Sequence, residues 1–189
     1  VFDRGYSNRG HFIEVTNGKL TNWSNRINIS KLDINAIKIG VHTGLSANFD
    51  RCYNMSKTGK RCYFFEEGVA IDQVFVSTIC LPEKNYKKNS PELQLASFLL
   101  KAAYDGTYLV AKYLKTKRLV LTLIGGGAFC NPLELIIEAI ANAHINIDMP
   151  DLEEVILPIF DPSLTSLELV KLLESFKLPK EQIEIVLID

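Results

Sequence analysis

The chain has 189 residues, of which 47% are hydrophobic, and a formal net charge of −1 at pH 7. This length and composition are enough for one substantial core, so we expect a single domain over residues 1–189. The near-neutral charge gives no general attraction to nucleic acid or acidic membranes, and no apolar run reaches the roughly 20 residues that span a bilayer.

The first residues and the cysteines indicate whether the chain is part of a longer protein and which cellular compartment it occupies. The sequence begins VFDRG, without a starting Met or a signal-peptide core, which predicts that it is part of a longer protein. Its four cysteines, Cys52, Cys62, Cys80 and Cys130, show no CxxC spacing, so neither a zinc site nor a redox pair is indicated. Free thiols of this kind favour a reducing, intracellular compartment.

The N-terminal portion, residues 1–68, carries few regular patterns. HFIEVT predicts a strand over 11–16 that is followed by a turn, and AIKIGVH predicts a second strand over 36–42. The segment 43–60 is rich in Gly, Asn and Ser, which predicts a loop.

From residue 69 the pattern alternates between strands and helices. VAIDQVFVSTICL predicts a strand over 69–81, and apolar spacing predicts a helix over 90–114 with Ser90 as N-cap and Pro91 at N1. Gly106 within this helix marks either a bend or a close contact. Further strands are predicted at 119–124, 154–160 and 182–188, and further helices at 133–144 and 161–176. This order predicts a three-layer α/β fold with a mainly parallel sheet.

The most informative segment is LTLIGGGAFCNP, residues 121–132. The aliphatic run over 119–124 predicts a strand buried on both faces, which ends at three glycines just before a helical pattern begins. Such an arrangement presents backbone N–H groups to an anion, usually a phosphate. The Lys-Ser/Thr pair of a Walker A loop is absent, and Cys130 stands where the dinucleotide motif has its last glycine. A phosphate cradle and a purely structural turn remain the two interpretations.

Between residues 74 and 160 the chain resembles the second half of a macrodomain, the ADP-ribose-binding module. QVFVSTICLP, a helix, LTLIGGGAFCNP, a second helix and EVILPIF follow in the order typical of that family. QVFVS and TLIGGGAFCNP further resemble a divergent branch of macrodomain-like ADP-ribosyl hydrolases, which includes a bacterial effector acting on ADP-ribosylated ubiquitin. The resemblance implies a three-layer α/β/α macrodomain-like fold with a mainly parallel central sheet.

The resemblance also implies which residues bind the ligand. The glycine-rich loop would wrap the pyrophosphate and distal ribose, because small residues let backbone N–H groups approach phosphate. The implied ligand-binding residues are Ser77, Gly125, Gly126, Gly127, Ala128, Phe129, Cys130, Asn131 and Phe160. Structural alternatives stay open for four of them: Asn131 would serve equally as N-cap of a helix that starts at Pro132, Phe129 and Phe160 as core aromatics, and Ser77 as an ordinary strand residue.

Removal of ADP-ribose would require a carboxylate or a positioned water beside the anomeric carbon of the distal ribose. Asp50 is the first candidate for a catalytic residue, with His42 as an orienting group and Asp72 and Asp161 as second choices. The segment that holds His42 and Asp50 lacks the Trp and the acids that follow the family's His. In addition, Lys19 stands where the family has an adenine-binding Asp. A solvated or turn-forming role is the alternative for each candidate acid.

The resemblance therefore predicts ADP-ribose recognition with hydrolytic removal of ADP-ribose from protein side chains. The alternatives are a reader module that binds without turnover and, more remotely, a phosphatase or nucleotidase. No cofactor, metal, nucleic acid or membrane is expected as a partner. The expected partners are ADP-ribose and an ADP-ribosylated protein such as ubiquitin, met in the cytoplasm or, for a secreted bacterial effector, in a host cytosol.

Overall fold

The computed structural model describes residues 14–16, 19–22, 29–47, 69–81, 87, 89–159 and 166–175. These residues form a mixed α/β structure with three small sheets and three α-helices. The chain divides into two compact units, one made of residues 1–39 and 76–189 and the other of residues 40–75. None of the described helices has the length and apolar character needed to cross a membrane.

The regular elements follow the chain as β1 (Glu14–Thr16), β2 (Lys19–Asn22), β3 (Gly40–Ala47), β4 (Val69–Phe75), α1 (Pro91–Tyr113), β5 (Arg118–Val120), α2 (Leu133–Asn146), β6 (Glu154–Ile156) and α3 (Ser166–Ser175). Short 3-10 helices lie at Ile29–Lys31 and Ile34–Ala36. β1 pairs antiparallel with β2, β3 pairs antiparallel with β4, and β5 pairs parallel with β6. The parallel pair, joined through α2, is the strand–helix–strand unit that the sequence predicts. The three-layer arrangement with a mainly parallel central sheet stays a prediction.

The smaller unit contains the β3–β4 ribbon, and its strand bounds differ from the predicted ones. The predicted strand over 36–42 starts later, because Asp33 caps a 3-10 helix by accepting from the backbone N–H of Asn35 at 2.9 Å. The prediction of a loop from Thr43 is wrong as far as Ala47, since β3 continues to that residue. The predicted turn at Asn17 and Gly18, and the predicted strand over 182–188, lie outside the described residues.

β3 can continue because a glycine absorbs an irregularity in its pairing. The register of β3 with β4 shifts between His42 and Leu45. Gly44, inside this irregularity, has a φ of +66°, and its N–H donates to Oδ1 of Asp72 at 2.9 Å. A bulge of this kind leaves one N–H without a partner on the neighbouring strand, and here the carboxylate of Asp72 accepts the hydrogen bond from that N–H.

Helix α1 confirms the prediction over 90–114. Its N-cap is Ser90, whose hydroxyl accepts from the N–H of Leu93 at 3.3 Å, and Pro91 occupies the first helical position. The helix runs unbroken through Gly106. A Cβ atom added at Gly106 would lie 2.8 Å from Cδ1 of Ile39, so the glycine marks a close contact and not a break.

The main core lies between α1, α2 and the β5–β6 pair. Its buried members on the two helices include Leu100, Tyr104, Ile136 and Ile140. The strand pair places Leu119 and Leu121 in this core, whereas the side chain of Val120 is 60% exposed. The expectation of a strand buried on both faces is therefore wrong at Val120, because α1 and α2 cover the Leu119 face of the strand.

A polar contact joins the two core helices near their C-terminal ends. The hydroxyl of Tyr108 lies 3.3 Å from Nδ1 of His144, and the two rings meet edge to face with centroids 5.9 Å apart. Burial lowers the pKa of His144 and is the main cause that raises the pKa of Tyr108. The pair is therefore uncharged at neutral pH, so the half-buried His144 ring places no unpaired charge against the buried Tyr108.

Candidate functional site

The candidate site is built around the glycine turn, here residues 125–131, which joins the end of the β5 strand to α2. The N–H of Leu121 still donates to the carbonyl of Ile156 at 2.8 Å, so the parallel ladder extends one bond beyond β5. After Leu121 the chain leaves the ladder. The expectation of a strand that reaches Ile124 is therefore wrong over its last residues.

The strand ends early because the hydroxyl of a buried tyrosine makes the hydrogen bonds that the next backbone groups would otherwise make in the sheet. The Tyr104 hydroxyl donates to the carbonyl of Thr122 at 2.7 Å and accepts from the N–H of Ile124 at 3.0 Å. Tyr104 is fully buried in the core, and burial raises its pKa, so it keeps its proton at any physiological pH. The Tyr104 hydroxyl therefore attaches the residues just before the glycine turn to helix α1.

Tyr104→Phe is expected to destabilise the protein by about 1–3 kcal/mol, because the carbonyl of Thr122 and the N–H of Ile124 both lose a part-buried hydrogen bond while the ring still fills its space. Tyr113→Phe is the matched control, since Tyr113 lies on the same helix and its side chain is 85% exposed. Urea unfolding followed by circular dichroism measures both variants. Equal midpoints for the two would contradict the role given to the Tyr104 hydroxyl.

The glycine turn is closed by its own backbone. The N–H of Gly126 donates to the carbonyl of Leu123 at 3.0 Å, and the N–H of Cys130 donates to that of Gly127 at 2.9 Å. These are two successive reverse turns. The N–H of Asn131 then donates to the carbonyl of Gly125 at 2.9 Å, which brings the two ends of the turn together.

The side-chain amide of Asn131 lies inside the turn and is only 4% exposed. Its nitrogen donates to the carbonyls of Ile79, Phe129 and Gly125 at 2.8, 3.2 and 3.4 Å. Its oxygen accepts from the hydroxyl of Thr78 at 3.4 Å. Since all of its polar atoms are engaged inward, Asn131 links the turn to the chain around Ile79.

The N-cap interpretation of Asn131 is therefore wrong. The residue at the N-cap position of α2 is Pro132, and no side chain caps the helix there. The physical reason is that the Asn131 amide faces the turn and the chain around Ile79, so it cannot also accept from the first turn of α2.

The partner of the turn is the anchor segment, residues 76–81, which the sequence predicts to be the end of a strand. β4 ends at Phe75, and the N–H of Leu81 donates to the carbonyl of Phe129 at 2.7 Å. The backbone of the anchor segment therefore bonds to the glycine turn and does not continue the strand. Ser77 lies on this segment and is exposed, and its hydroxyl donates to the carbonyl of Thr78 at 3.3 Å.

The outer side of the turn presents backbone donors. Gly126, Gly127 and Ala128 are exposed, and Phe129 is half-buried. In the part of the chain that the structure describes, the N–H groups of Gly127, Ala128 and Phe129 have no acceptor. The N–H groups of Leu133 and Glu134 follow at the start of α2 and are likewise without acceptors among the described residues, whereas that of Leu135 donates to the carbonyl of Pro132 at 3.1 Å. Successive donors next to a helix N-terminus form an anion-binding surface.

Two of the four candidate catalytic residues, His42 and Asp72, belong to the smaller unit. His42 lies exposed on β3 and pairs with Gln73 in the smaller unit, where Asp72 accepts from Gly44. Asp50, Phe160 and Asp161 lie outside the described residues. Within the described ranges, no three His, Cys, Asp or Glu side chains are grouped so that they could hold a metal.

Two residues that support the turn are not singled out by the sequence. Tyr104 is one of several apolar positions of a predicted helix, and no sequence pattern points to Thr78. Both act on the turn from parts of the chain that precede it, so only the folded arrangement relates them to it. Comparison with known protein families and with curated proteins finds no match to this chain.

Proposed function

We propose that the glycine turn binds the diphosphate of ADP-ribose. The observation that carries this proposal is the row of exposed donors at Gly127, Ala128 and Phe129, which have no acceptor in the described part of the chain. The start of α2, which follows the turn directly in the chain, adds the positive end of a helix dipole. A diphosphate offers several anionic oxygens close together, which suits a row of donors.

ADP-ribose is favoured over other phosphates by the resemblance to macrodomains. GGGAFCNP contains the turn, and QVFVS ends with Val76 and Ser77 at the start of the anchor segment, which bonds to the turn further along, at Ile79 and Leu81. The proposal includes the family's three-layer α/β/α fold with a mainly parallel central sheet. Phe129 would face the distal ribose and Phe160 the adenine, and Ser77 would be a further ligand-binding residue. Asn131 would contribute by holding the turn, because its amide hydrogens are already donated inward.

The proposed activity is hydrolytic removal of ADP-ribose from modified protein side chains, with Asp50 as the catalytic carboxylate and His42 as its orienting group. Both roles rest on the resemblance. The proposed protein partner is an ADP-ribosylated protein such as ubiquitin, in the cytoplasm or in a host cytosol. The second candidate is a reader that binds without turnover, which the missing Trp and acids after His42 favour.

Calorimetric titration with ADP-ribose tests the binding proposal, and Gly127 offers a matched pair of variants. A Cβ atom at Gly127 meets nothing within 4 Å, so both Gly127→Ala and Gly127→Glu should fold normally. Gly127→Ala should retain binding. Gly127→Glu should abolish it, because a carboxylate beside the donors repels the diphosphate. Lack of binding by the unaltered protein at millimolar ADP-ribose would refute the proposal.

Incubation with mono-ADP-ribosylated ubiquitin separates hydrolase from reader. A hydrolase releases free ADP-ribose, and Asp50→Ala should stop this release while the calorimetric affinity is retained. Binding without release by the unaltered protein identifies a reader. Unchanged release by Asp50→Ala would remove Asp50 from the mechanism.

A further inference from the structure

Two thiols converge on one carbonyl of the glycine turn. The sulfurs of Cys80 and Cys130 both lie 3.9 Å from the carbonyl oxygen of Ala128. The two sulfurs can therefore be no farther apart than twice that distance. The backbone accounts for their proximity, because Leu81, next to Cys80, donates to the carbonyl of Phe129, next to Cys130, at 2.7 Å. Cys80 and Cys130 lie far apart in the sequence and form no CxxC motif, so it is the fold that brings them together.

The two thiols differ in their access to solvent. Both are free, but Cys80 is buried on the anchor segment and Cys130 is half-buried in the turn. A small oxidant would therefore reach Cys130 first. Cys130 also has a φ of +53°, in the left-handed region, so its backbone is held by the closure of the turn and not by its own preference.

We propose that Cys80 and Cys130 form a peroxide-sensitive redox pair that controls the glycine turn. The Cys130 thiolate attacks a hydroperoxide such as hydrogen peroxide: an S–O bond forms, the O–O bond breaks, and the leaving hydroxide takes up a proton as water. The Cys80 thiolate then attacks the Cys130 sulfenic acid, so that an S–S bond forms and a second water leaves. Two electrons pass from the thiols to the peroxide, and a dithiol returns them by exchange.

The disulfide would change the part of the glycine turn whose backbone N–H groups are proposed to bind the diphosphate. Each thiol now donates to the carbonyl of Ala128, and both of these contacts are lost on oxidation. A disulfide also requires its sulfurs to lie about 2.05 Å apart with a restricted dihedral angle, so the chain around Cys130 must adjust to reach Cys80. The N–H groups of Ala128 and Phe129 move with it. This consequence rests on the proposed function, in which these groups bind the diphosphate.

Peptide mapping of the unaltered protein tests the pair without reference to any ligand. The protein is treated with hydrogen peroxide, its remaining thiols are blocked, and its peptides are separated without reductant. The expected product is a peptide pair joined through Cys80 and Cys130, which dithiothreitol separates. In Cys80→Ala the sulfenic acid at Cys130 should persist and react with dimedone. Pairing of Cys130 with Cys52 or Cys62, or oxidation of Cys130 without any pairing, would overturn the proposal.

Calorimetry with ADP-ribose then tests the regulatory consequence. The oxidised protein should bind about tenfold more weakly than the reduced protein, as expected for the loss of one hydrogen bond to a charged group. Reductant should restore the affinity, and Cys80→Ala should show no loss after the same treatment. Equal affinities of the oxidised and reduced forms would overturn the regulation. If neither form binds, the proposed function and its regulation fail together, while a mapped disulfide still supports the redox pair.

Discussion

Gly125→Ala is expected to lower the urea midpoint of unfolding far below that of the unaltered protein. Gly125 has a φ of +79°, and an added Cβ atom would lie 2.5 Å from Cγ2 of Thr78 and 2.7 Å from Nδ2 of Asn131. The left-handed backbone alone costs about 1–2 kcal/mol for a residue with a side chain. Overlap in a packed interior adds roughly 1–3 kcal/mol, because Thr78 and Asn131 cannot move without breaking the bonds that close the turn.

Gly127→Ala is the control for this prediction, because it makes the same chemical change two residues along the same turn. A Cβ atom at Gly127 meets nothing within 4 Å, and its φ lies outside the left-handed region. Its effect should therefore stay within about 0.5 kcal/mol of zero. Circular dichroism in a urea series measures both variants. Similar midpoints for Gly125→Ala and Gly127→Ala would contradict the packing described around Gly125.

The helices around the site can be predicted from the sequence because their signals are local. Ser90 and Pro91 mark the start of α1 within two residues, and the apolar period runs through it to Tyr113. The second helical pattern predicts 133–144, and α2 spans Leu133–Asn146 for the same reason. A helix makes its backbone bonds within itself, so a short stretch of sequence contains most of the information on where it begins and ends.

The strand ends could not be predicted, since they depend on partners far along the chain. The aliphatic run over 119–124 looks uniform, yet its ladder stops where the Tyr104 hydroxyl takes the backbone groups of Thr122 and Ile124. The run over 69–81 likewise looks like one strand. Its last part bonds instead to the glycine turn through Leu81 and Ile79. Alternation and apolarity report burial, but they do not report which group accepts each backbone hydrogen bond.

The position of the glycine turn can be predicted from the sequence, but the roles of its residues only in part. Three glycines in a row between an apolar run and a helix pattern locate the turn, because consecutive glycines are unfavourable in both strands and helices, whereas α1 and β3 tolerate isolated ones. The inward role of Asn131 and the approach of Cys80 to Cys130 depend on the anchor segment, which the sequence pattern assigns to a strand. The direction of a side chain within a loop is set by tertiary contacts, and these cannot be predicted from a local sequence pattern.

Asn131→Asp is expected to unfold the protein at neutral pH or to leave it at least about 3 kcal/mol less stable, since a buried charge without a partner is strongly destabilising. The new side chain has almost the same shape, so packing is preserved. Its charge, however, would replace an amide nitrogen that donates to the carbonyls of Ile79, Phe129 and Gly125. Among the residues that the structure describes, the hydroxyl of Thr78 is the one side-chain donor that Asn131 accepts from, so a carboxylate among three carbonyl oxygens would have little compensation there.

The pH dependence of the same variant distinguishes this cause from a simple loss of packing. Burial and the surrounding oxygens raise the pKa of the new carboxyl in the folded state above its unfolded value of about 3.9. The folded state then binds the proton more tightly, so the penalty is absent below the unfolded pKa and grows as the pH rises through the folded pKa. Asn142→Asp, at an exposed position of α2, should show no such rise. Urea midpoints measured from pH 4 to pH 8 check this, and a pH-independent loss in Asn131→Asp would contradict the inward donor role of the Asn131 amide.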